Sequence, residues 1–107
     1  MIRTQRNAWI HATVSIAVIL VCIWLRLDLS DWAIIILAIA LVWTSEFLNT
    51  ALEAVVDLAS PQHNQLAKVG KDVGAAAVLI ASLSSAIIGL FILGPPLWQR
   101  IMSLFLN

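Results

Sequence analysis

The sequence has little charge of either sign, since only 11% of its 107 residues are Asp, Glu, Lys or Arg and six basic residues balance six acidic ones. A surface without a basic excess does not attract a phosphate backbone, so we exclude nucleic-acid binding. Cysteine is nearly absent too, and Cys22 alone forms neither an intramolecular disulfide nor a multi-cysteine metal site. Apolar residues dominate instead: 62% of the chain is hydrophobic and the mean hydropathy is +0.99, which predicts an integral membrane protein.

Long apolar segments predict three membrane-spanning helices in a single all-α domain over residues 1–107. A span needs about 20 mostly apolar residues, and no soluble sequence follows the first segment, as it would follow a signal peptide. We expect the second helix to begin near Asp31 or Trp32, Pro61 to follow its end, and Gly94-Pro95-Pro96 to end the third helix. The predicted spans cover residues 8–25, 32–59 and 73–94, with a polar loop over 60–72.

Basic residues near the helix ends predict the orientation of the chain, because cytoplasmic flanks carry the excess of Lys and Arg. Two basic residues precede the first span and two lie between the second and third, whereas each of the other flanks holds one. We therefore expect the N-terminus and the 60–72 loop to be cytoplasmic. The basic residues on these two flanks are Arg3, Arg6, Lys68 and Lys71.

A polar stripe occupies the second half of the second helix. Its members are separated by three, four and four residues, which brings them within about 80° of one another on one helix face. An ionised carboxylate near the bilayer centre costs at least about 2.5–3.5 kcal/mol, so such acids normally serve an ion path, a catalytic site or a pairing role. A plainer alternative is that Glu53 and Asp57 are solvated at the headgroups while Glu46 pairs with another helix. The stripe consists of Glu46, Asn49, Glu53 and Asp57.

The start of the third span supplies complementary groups. Lys71 and Asp72 precede the small residues Gly74-Ala75-Ala76-Ala77, which permit close approach of helices. Carboxylates and an amide hold Mg²⁺ together with substrate phosphates, and a lysine acts as a point charge on phosphate. The set predicts a nucleotide-phosphate site. Two plainer roles stay open: a positive-inside charge for Lys71 and an N-cap of the third helix for Asp72.

The pattern Glu46-x-x-Asn49-Thr50-Ala51-x-Glu53-x-x-x-Asp57, followed by Lys71-Asp72, resembles the signature of the prokaryotic diacylglycerol kinase and undecaprenol kinase family over about residues 4–93. The resemblance implies a homotrimer of three-span protomers that transfers the γ-phosphate of ATP to a lipid hydroxyl, of diacylglycerol or undecaprenol. Mg²⁺ is the implied cofactor, and ATP and a membrane lipid are the implied partners. The implied location is the bacterial inner membrane, with the active site at the cytoplasmic face.

The resemblance also implies roles for single residues. Glu46 matches the base that takes the proton of the lipid hydroxyl, and Glu53 matches a metal ligand. Gln5 aligns with a metal-binding glutamate of the family, although an amide oxygen is a weaker Mg²⁺ ligand than a carboxylate. Arg6 beside it is expected to contact the substrate through phosphate. The implied nucleotide contacts are Asn49, Asp57, Gln62, His63, Asn64, Lys71 and Asp72.

Several expectations stand beside this resemblance. His11, in an apolar run, is predicted to be a hydrogen-bonded packing residue rather than a ligand. Family members usually carry an amphipathic surface helix before the first span, and only residues 1–4 remain for it, so we expect a shortened start or a differently built lipid entrance. Two other classes stay open: a small ion- or proton-coupled transport subunit in which the acids of the stripe relay cations, and a purely structural membrane peptide. Lys71-Asp72 at the cytoplasmic end argues against transport.

Overall fold

A computed structural model describes the backbone of residues 2–62 and 64–106 and the side chains of residues 8–62 and 64–106. Within these residues the chain forms three α-helices. Each is long and apolar enough to cross a membrane, which confirms the all-α, three-span prediction. The helices are α1 (Ile2–Leu25), α2 (Leu29–Ala59) and α3 (Gln65–Leu106).

The turn between α1 and α2 is tighter than predicted. Arg26 adopts a positive φ of 56° directly after α1, and α2 already begins at Leu29 rather than near Asp31 or Trp32. The reason is the cap: the Asp28 side chain accepts a hydrogen bond of 2.9 Å from the backbone N–H of Asp31. Such a bond satisfies one of the free N–H groups in the first helical turn.

The connection between α2 and α3 is also shorter than the predicted 60–72 loop, because α3 begins at Gln65. Asn64 Oδ1 accepts a hydrogen bond of 2.8 Å from the backbone N–H of Ala67 and so caps α3. The predicted loop is therefore wrong beyond Asn64, and Asp72 lies inside the helix rather than at its N-cap. The polar residues after Asn64 lie on an exposed surface of α3. The break between α2 and α3 is limited to Pro61 and its neighbours.

The predicted end of α3 at Gly94-Pro95-Pro96 is wrong as well, because the helix continues through both prolines to Leu106. Each proline in a helix removes one backbone hydrogen bond, because it has no N–H group. Since the two prolines are adjacent, both missing bonds belong to the same helical turn. The residues beyond them contact the rest of the fold: the Arg100 guanidinium lies 5.1 Å from the centroid of the Trp24 ring at the end of α1.

The antiparallel pair α2–α3 forms the main body of the protein, and α1 contacts this pair more sparsely. Ser85 Oγ donates a hydrogen bond of 3.0 Å to the carbonyl oxygen of Ala38, and Gly74 lies against Asn49. Residues late in α2 therefore contact residues early in α3. This register brings the start of α3 beside the polar stripe.

Few side chains of the described region are buried within the chain, and these include Cys22, Ile35, Ala38 and Ala81. Most large apolar side chains are exposed, as expected for helices whose solvent is hydrocarbon. The hydrogen bond of 3.0 Å from Trp43 Nε1 to Ser15 Oγ joins α1 to α2.

Candidate active site

Glu46 is the one buried charged residue in the described region, with 9% of its surface exposed. His11 on α1 reaches it across the bundle, with His11 Nε2 3.2 Å from Glu46 Oε2. The second carboxylate oxygen, Oε1, has no hydrogen-bond partner among the described residues. Glu46 also lines a cleft of about 360 Å³, here called the Glu46 cleft, whose other walls are Ile10, His11, Asn49, Ala75, Val78, Leu79 and Ser82. The carboxylate is thus bound to His11 through one oxygen, and it lines a small cleft whose walls combine aliphatic and polar side chains.

Asn49 lies one turn beyond Glu46, at a point of close contact between α2 and α3. A Cβ at position 74 would collide with Asn49 Oδ1 and lie 3.2 Å from Leu52 Cδ2, so the observed position of the Asn49 side chain requires a glycine here. The close approach predicted from the run of small residues is found at this point. Asn49 Nδ2 lies 3.5 Å from Glu53 Oε1, a long hydrogen bond. Asn49 Oδ1 is buried without a partner in the described region, and such an acceptor costs about 1–3 kcal/mol unless a donor or a cation satisfies it.

A larger cavity of about 720 Å³ lies beside the α2–α3 connection, and we call it the Lys71 cavity. Lys71 Nζ is 2.5 Å from Asp57 Oδ1 in its wall. The two side chains are 41% and 64% exposed, so their pairing contributes little to stability and either group is free to exchange partners. Other residues predicted from the sequence to contact a nucleotide also line this cavity, namely Gln62, Asn64 and Asp72.

The polar stripe connects the two cavities along α2. At 1.5 Å per residue, Glu46 and Glu53 are separated by about 10 Å along the helix axis, and Asp57 lies about 6 Å further. Glu46 and Asn49 line the Glu46 cleft and Asp57 lines the Lys71 cavity, while Glu53, partly buried, lies between them. An apolar molecule can therefore approach one end of the stripe and a polar molecule the other.

Three residues predicted to belong to the site cannot be placed in it. Gln5 and Arg6 belong to the backbone of α1, but their side chains lie outside the described residues, and His63 lies outside them altogether. The metal and substrate roles predicted for these residues stay predictions.

Two residues of the site were not singled out as functional by the sequence. His11 contacts Glu46, and Trp43 lies beside His11 with ring centroids 6.1 Å apart. The signal for His11 was its position as the one basic side chain in the apolar run of residues 8–25. The signal for Trp43 was its depth within a span, away from the helix ends where tryptophan usually anchors.

Three helices long and apolar enough to span a membrane, with two cavities along the polar stripe, define a multi-pass membrane protein whose candidate chemistry lies at that stripe. Comparison with known proteins identifies that chemistry. The family model for prokaryotic diacylglycerol kinase matches residues 1–93. The chain therefore belongs to the prokaryotic diacylglycerol kinase family, and it is a membrane lipid kinase.

Individual relatives carry two different names. The chain is 42% identical over 95 residues to the undecaprenol kinase of Bacillus subtilis (strain 168), covering 89% of this chain and 77% of that protein. It is 45% identical over 95 residues to the diacylglycerol kinase of Synechocystis sp., covering 88% of this chain and 54% of that longer protein. It is 38% identical over 90 residues to the diacylglycerol kinase of Escherichia coli (strain K12), covering 77% of this chain and 73% of that protein. These findings give no support to the transport alternative.

Proposed function

We propose that the chain transfers the γ-phosphate of ATP to a lipid hydroxyl in the Glu46 cleft and that it prefers undecaprenol to diacylglycerol. The lipid kinase class and ATP as donor follow from the family, whereas the lipid and the residue roles are proposed. The observation that carries the proposal is the buried Glu46 carboxylate, which is bound to His11 through Oε2 and lines the cleft.

Glu46 acts in this proposal as the general base. As the lipid hydroxyl oxygen forms its bond to the γ-phosphorus, Glu46 Oε1 takes the hydroxyl proton, and the bond from that phosphorus to the bridging oxygen of the leaving ADP breaks. A base has to lie within hydrogen-bond reach of the proton it removes, and a positioned one contributes about 10²–10⁴-fold to the rate. Glu46 meets this requirement in the proposal, because Oε2 is bound to His11 and Oε1 is left to accept the proton.

The residues beside Glu46 fit a magnesium ion. Asn49 Oδ1 is a buried oxygen without a partner, and the Glu53 carboxylate lies next to the same amide. In the part of the chain that the structure describes, no three His, Cys, Asp or Glu side chains are placed to hold a metal ion together. Mg²⁺, however, usually takes only one or two protein carboxylates and completes its shell with phosphate oxygens and water. When bound there by Asn49 and Glu53, Mg²⁺ would neutralise negative charge on the phosphates.

The Lys71 cavity is proposed to hold the nucleotide. Its volume of about 720 Å³ lies within the range of small-molecule sites. Lys71 is proposed to leave Asp57 for the phosphates, since an exposed ion pair is easily exchanged. The polar side chains of Gln62, Asn64 and Asp72 offer hydrogen bonds to the rest of the nucleotide.

The preference for undecaprenol rests on the walls of the Glu46 cleft. Diacylglycerol carries two ester groups close to its hydroxyl, and buried carbonyl oxygens need hydrogen-bond donors. Undecaprenol has only hydrocarbon next to its hydroxyl, which suits the aliphatic half of the lining, namely Ile10, Ala75, Val78 and Leu79. Of the donors in the other half, His11 and Asn49 already contact carboxylates, which leaves the Ser82 hydroxyl for the ester groups of diacylglycerol. Diacylglycerol is the second candidate because relatives including those of Synechocystis sp. and Escherichia coli are named diacylglycerol kinase.

We further propose a homotrimer in the bacterial inner membrane with its active site on the cytoplasmic side. One protomer leaves Glu53 only partly buried, and polar groups in a span are normally shielded by neighbouring helices. Further copies of the chain would supply that shield. Lys68 and Lys71 beside the larger cavity agree with a cytoplasmic position by the positive-inside rule.

The test uses the purified protein in lipid nanodiscs with radiolabelled ATP and Mg²⁺. Undecaprenol, diacylglycerol and ceramide are offered singly and then in pairwise competition, with the Glu46→Gln variant as the inactive control. We expect undecaprenol to be labelled fastest and to win the competition. Faster labelling of diacylglycerol would overturn the preference, and labelling of none of the three lipids would contradict the activity itself.

A further inference from the structure

We propose that His11 is a positioning residue of this kinase, which holds the Glu46 carboxylate so that its Oε1 faces the lipid hydroxyl. The inference rests on the proposed role of Glu46 as the base. It assigns the α1 histidine a part in the reaction rather than in packing alone.

The contact itself is specific. His11 and Glu46 are 35 residues apart in sequence and belong to different helices, yet Nε2 and Oε2 approach to 3.2 Å. Their side chains are 22% and 11% exposed, so water competes little for the bond. The last torsion of a glutamate side chain is soft, and this hydrogen bond is the carboxylate's one side-chain restraint within the described residues.

His11 is in turn held by its neighbours. The ring of Trp43 lies against it at a centroid distance of 6.1 Å and an interplanar angle of 59°. Trp43 Nε1 donates a hydrogen bond of 3.0 Å to Ser15 Oγ, one turn beyond His11 on α1. Two contacts one turn apart therefore fix the face of α1 against the segment of α2 that carries Glu46. These two contacts hold the His11 ring in a defined position. A residue that positions another side chain has to be held in this way.

The surroundings of the pair also favour a role in the reaction. Both residues line the Glu46 cleft, where a substrate atom has access to them. The other lining side chains are uncharged, including Asn49 and Ser82 from the two facing helices. Among the described groups, His11 is therefore the one titratable side chain that faces the Glu46 carboxylate.

The test compares substitutions at His11 in nanodiscs, with undecaprenol and diacylglycerol each used as acceptor. Glutamine places an amide N–H close to the position of imidazole Nε2, whereas asparagine is too short to reach Glu46. We expect His11→Asn to lower kcat by about 10- to 100-fold without raising the KM for ATP, and His11→Gln to restore most of that loss. Each variant is compared per folded protein, with thermal unfolding as the stability measurement.

A matched control and a double-mutant cycle separate positioning from packing. Ser85→Ala removes another hydrogen bond between helices, from Ser85 Oγ to Ala38, and should lower stability while leaving kcat unchanged. In the Glu46→Gln background, His11→Asn should cause no further loss, because a positioning residue acts only through the group that it positions.

Three results would overturn the inference. These are a His11→Asn variant with the kcat of the parent, a His11→Gln variant as slow as His11→Asn, and an equal further loss on adding His11→Asn to Glu46→Gln. Failure of the proposed function is recognised separately: if Glu46→Gln alone keeps the activity of the parent, Glu46 is not the base, and the role of His11 falls with it.

Discussion

Replacing Gly74 by alanine should impair the reaction more than the fold. The added methyl group would collide with Asn49 Oδ1 and lie 3.2 Å from Leu52 Cδ2. Because the end of the Asn49 side chain yields more easily than the helix backbones, we expect the carboxamide to rotate away. It would then lose its contact with Glu53 Oε1, now 3.5 Å long, and remove its oxygen from the proposed metal position.

The size of the effect follows from opposing terms. Overpacking costs about 1–3 kcal/mol, and alanine is favoured over glycine in a helix interior by about 0.8–1.0 kcal/mol. The net loss in the free energy of unfolding is therefore about 0–2 kcal/mol. A displacement of about 1 Å in a positioning group lowers a rate by up to about 10²-fold. We expect Gly74→Ala to lower kcat by about 10- to 100-fold and to raise the Mg²⁺ concentration needed for half-maximal activity.

Gly70→Ala provides the matched control. Position 70 lies one turn earlier on the same face of α3, and a Cβ there would lie 3.9 Å from Val56 Cγ2, an ordinary contact. This variant gains the same helix propensity and should keep the activity of the parent. The assay is a Mg²⁺ titration of lipid phosphorylation in nanodiscs, paired with thermal unfolding. A folded Gly74→Ala variant with the parent's kcat and Mg²⁺ midpoint would contradict the metal role proposed for Asn49.

Three further predictions concern residues expected to meet Mg²⁺ or ATP. Glu53→Gln should raise the Mg²⁺ midpoint and leave the KM for lipid unchanged; the reverse pattern in the same titrations would assign Glu53 to the lipid. Lys71→Met should weaken ATP binding in calorimetry while changing the free energy of unfolding by no more than about 1 kcal/mol, because its partner Asp57 is exposed; unchanged ATP affinity would contradict the phosphate role. Gln5→Glu adds an anionic ligand and should shift activity to lower Mg²⁺ concentration; an unmoved midpoint would mean that Gln5 is not a metal ligand.

The helices were predictable because hydropathy reports directly on burial in lipid, but their ends were not. Half of the residues from Gln65 to Asp72 are polar and Gly70 lies among them, a composition that predicts a loop; none of them is a proline, and the stretch is helical. Pro95 and Pro96 had the opposite effect, since they predicted an end where the helix continues. The position of a helix end depends on whether a capping side chain satisfies the free backbone groups there, as Asn64 does at the start of α3. The composition of a segment does not show whether such a cap forms.

The site was predictable only as far as it lies on one helix. The spacing of Glu46, Asn49 and Glu53 reveals a common face of α2 without any knowledge of the other helices. The contact of Glu46 with His11 and that of Asn49 with Gly74 depend on how the helices are rotated against one another. No local pattern in one sequence determines that rotation.

The most direct test of the account is the rate of a single turnover by the Glu46→Gln variant, with ATP and lipid both saturating. Glutamine keeps the shape of the side chain but cannot accept the hydroxyl proton, so the account predicts phosphoryl transfer slower by about 10²–10⁴-fold. ATP affinity and thermal stability should stay close to those of the parent. A single-turnover rate within a few-fold of the parent would contradict the assignment of Glu46 as the base.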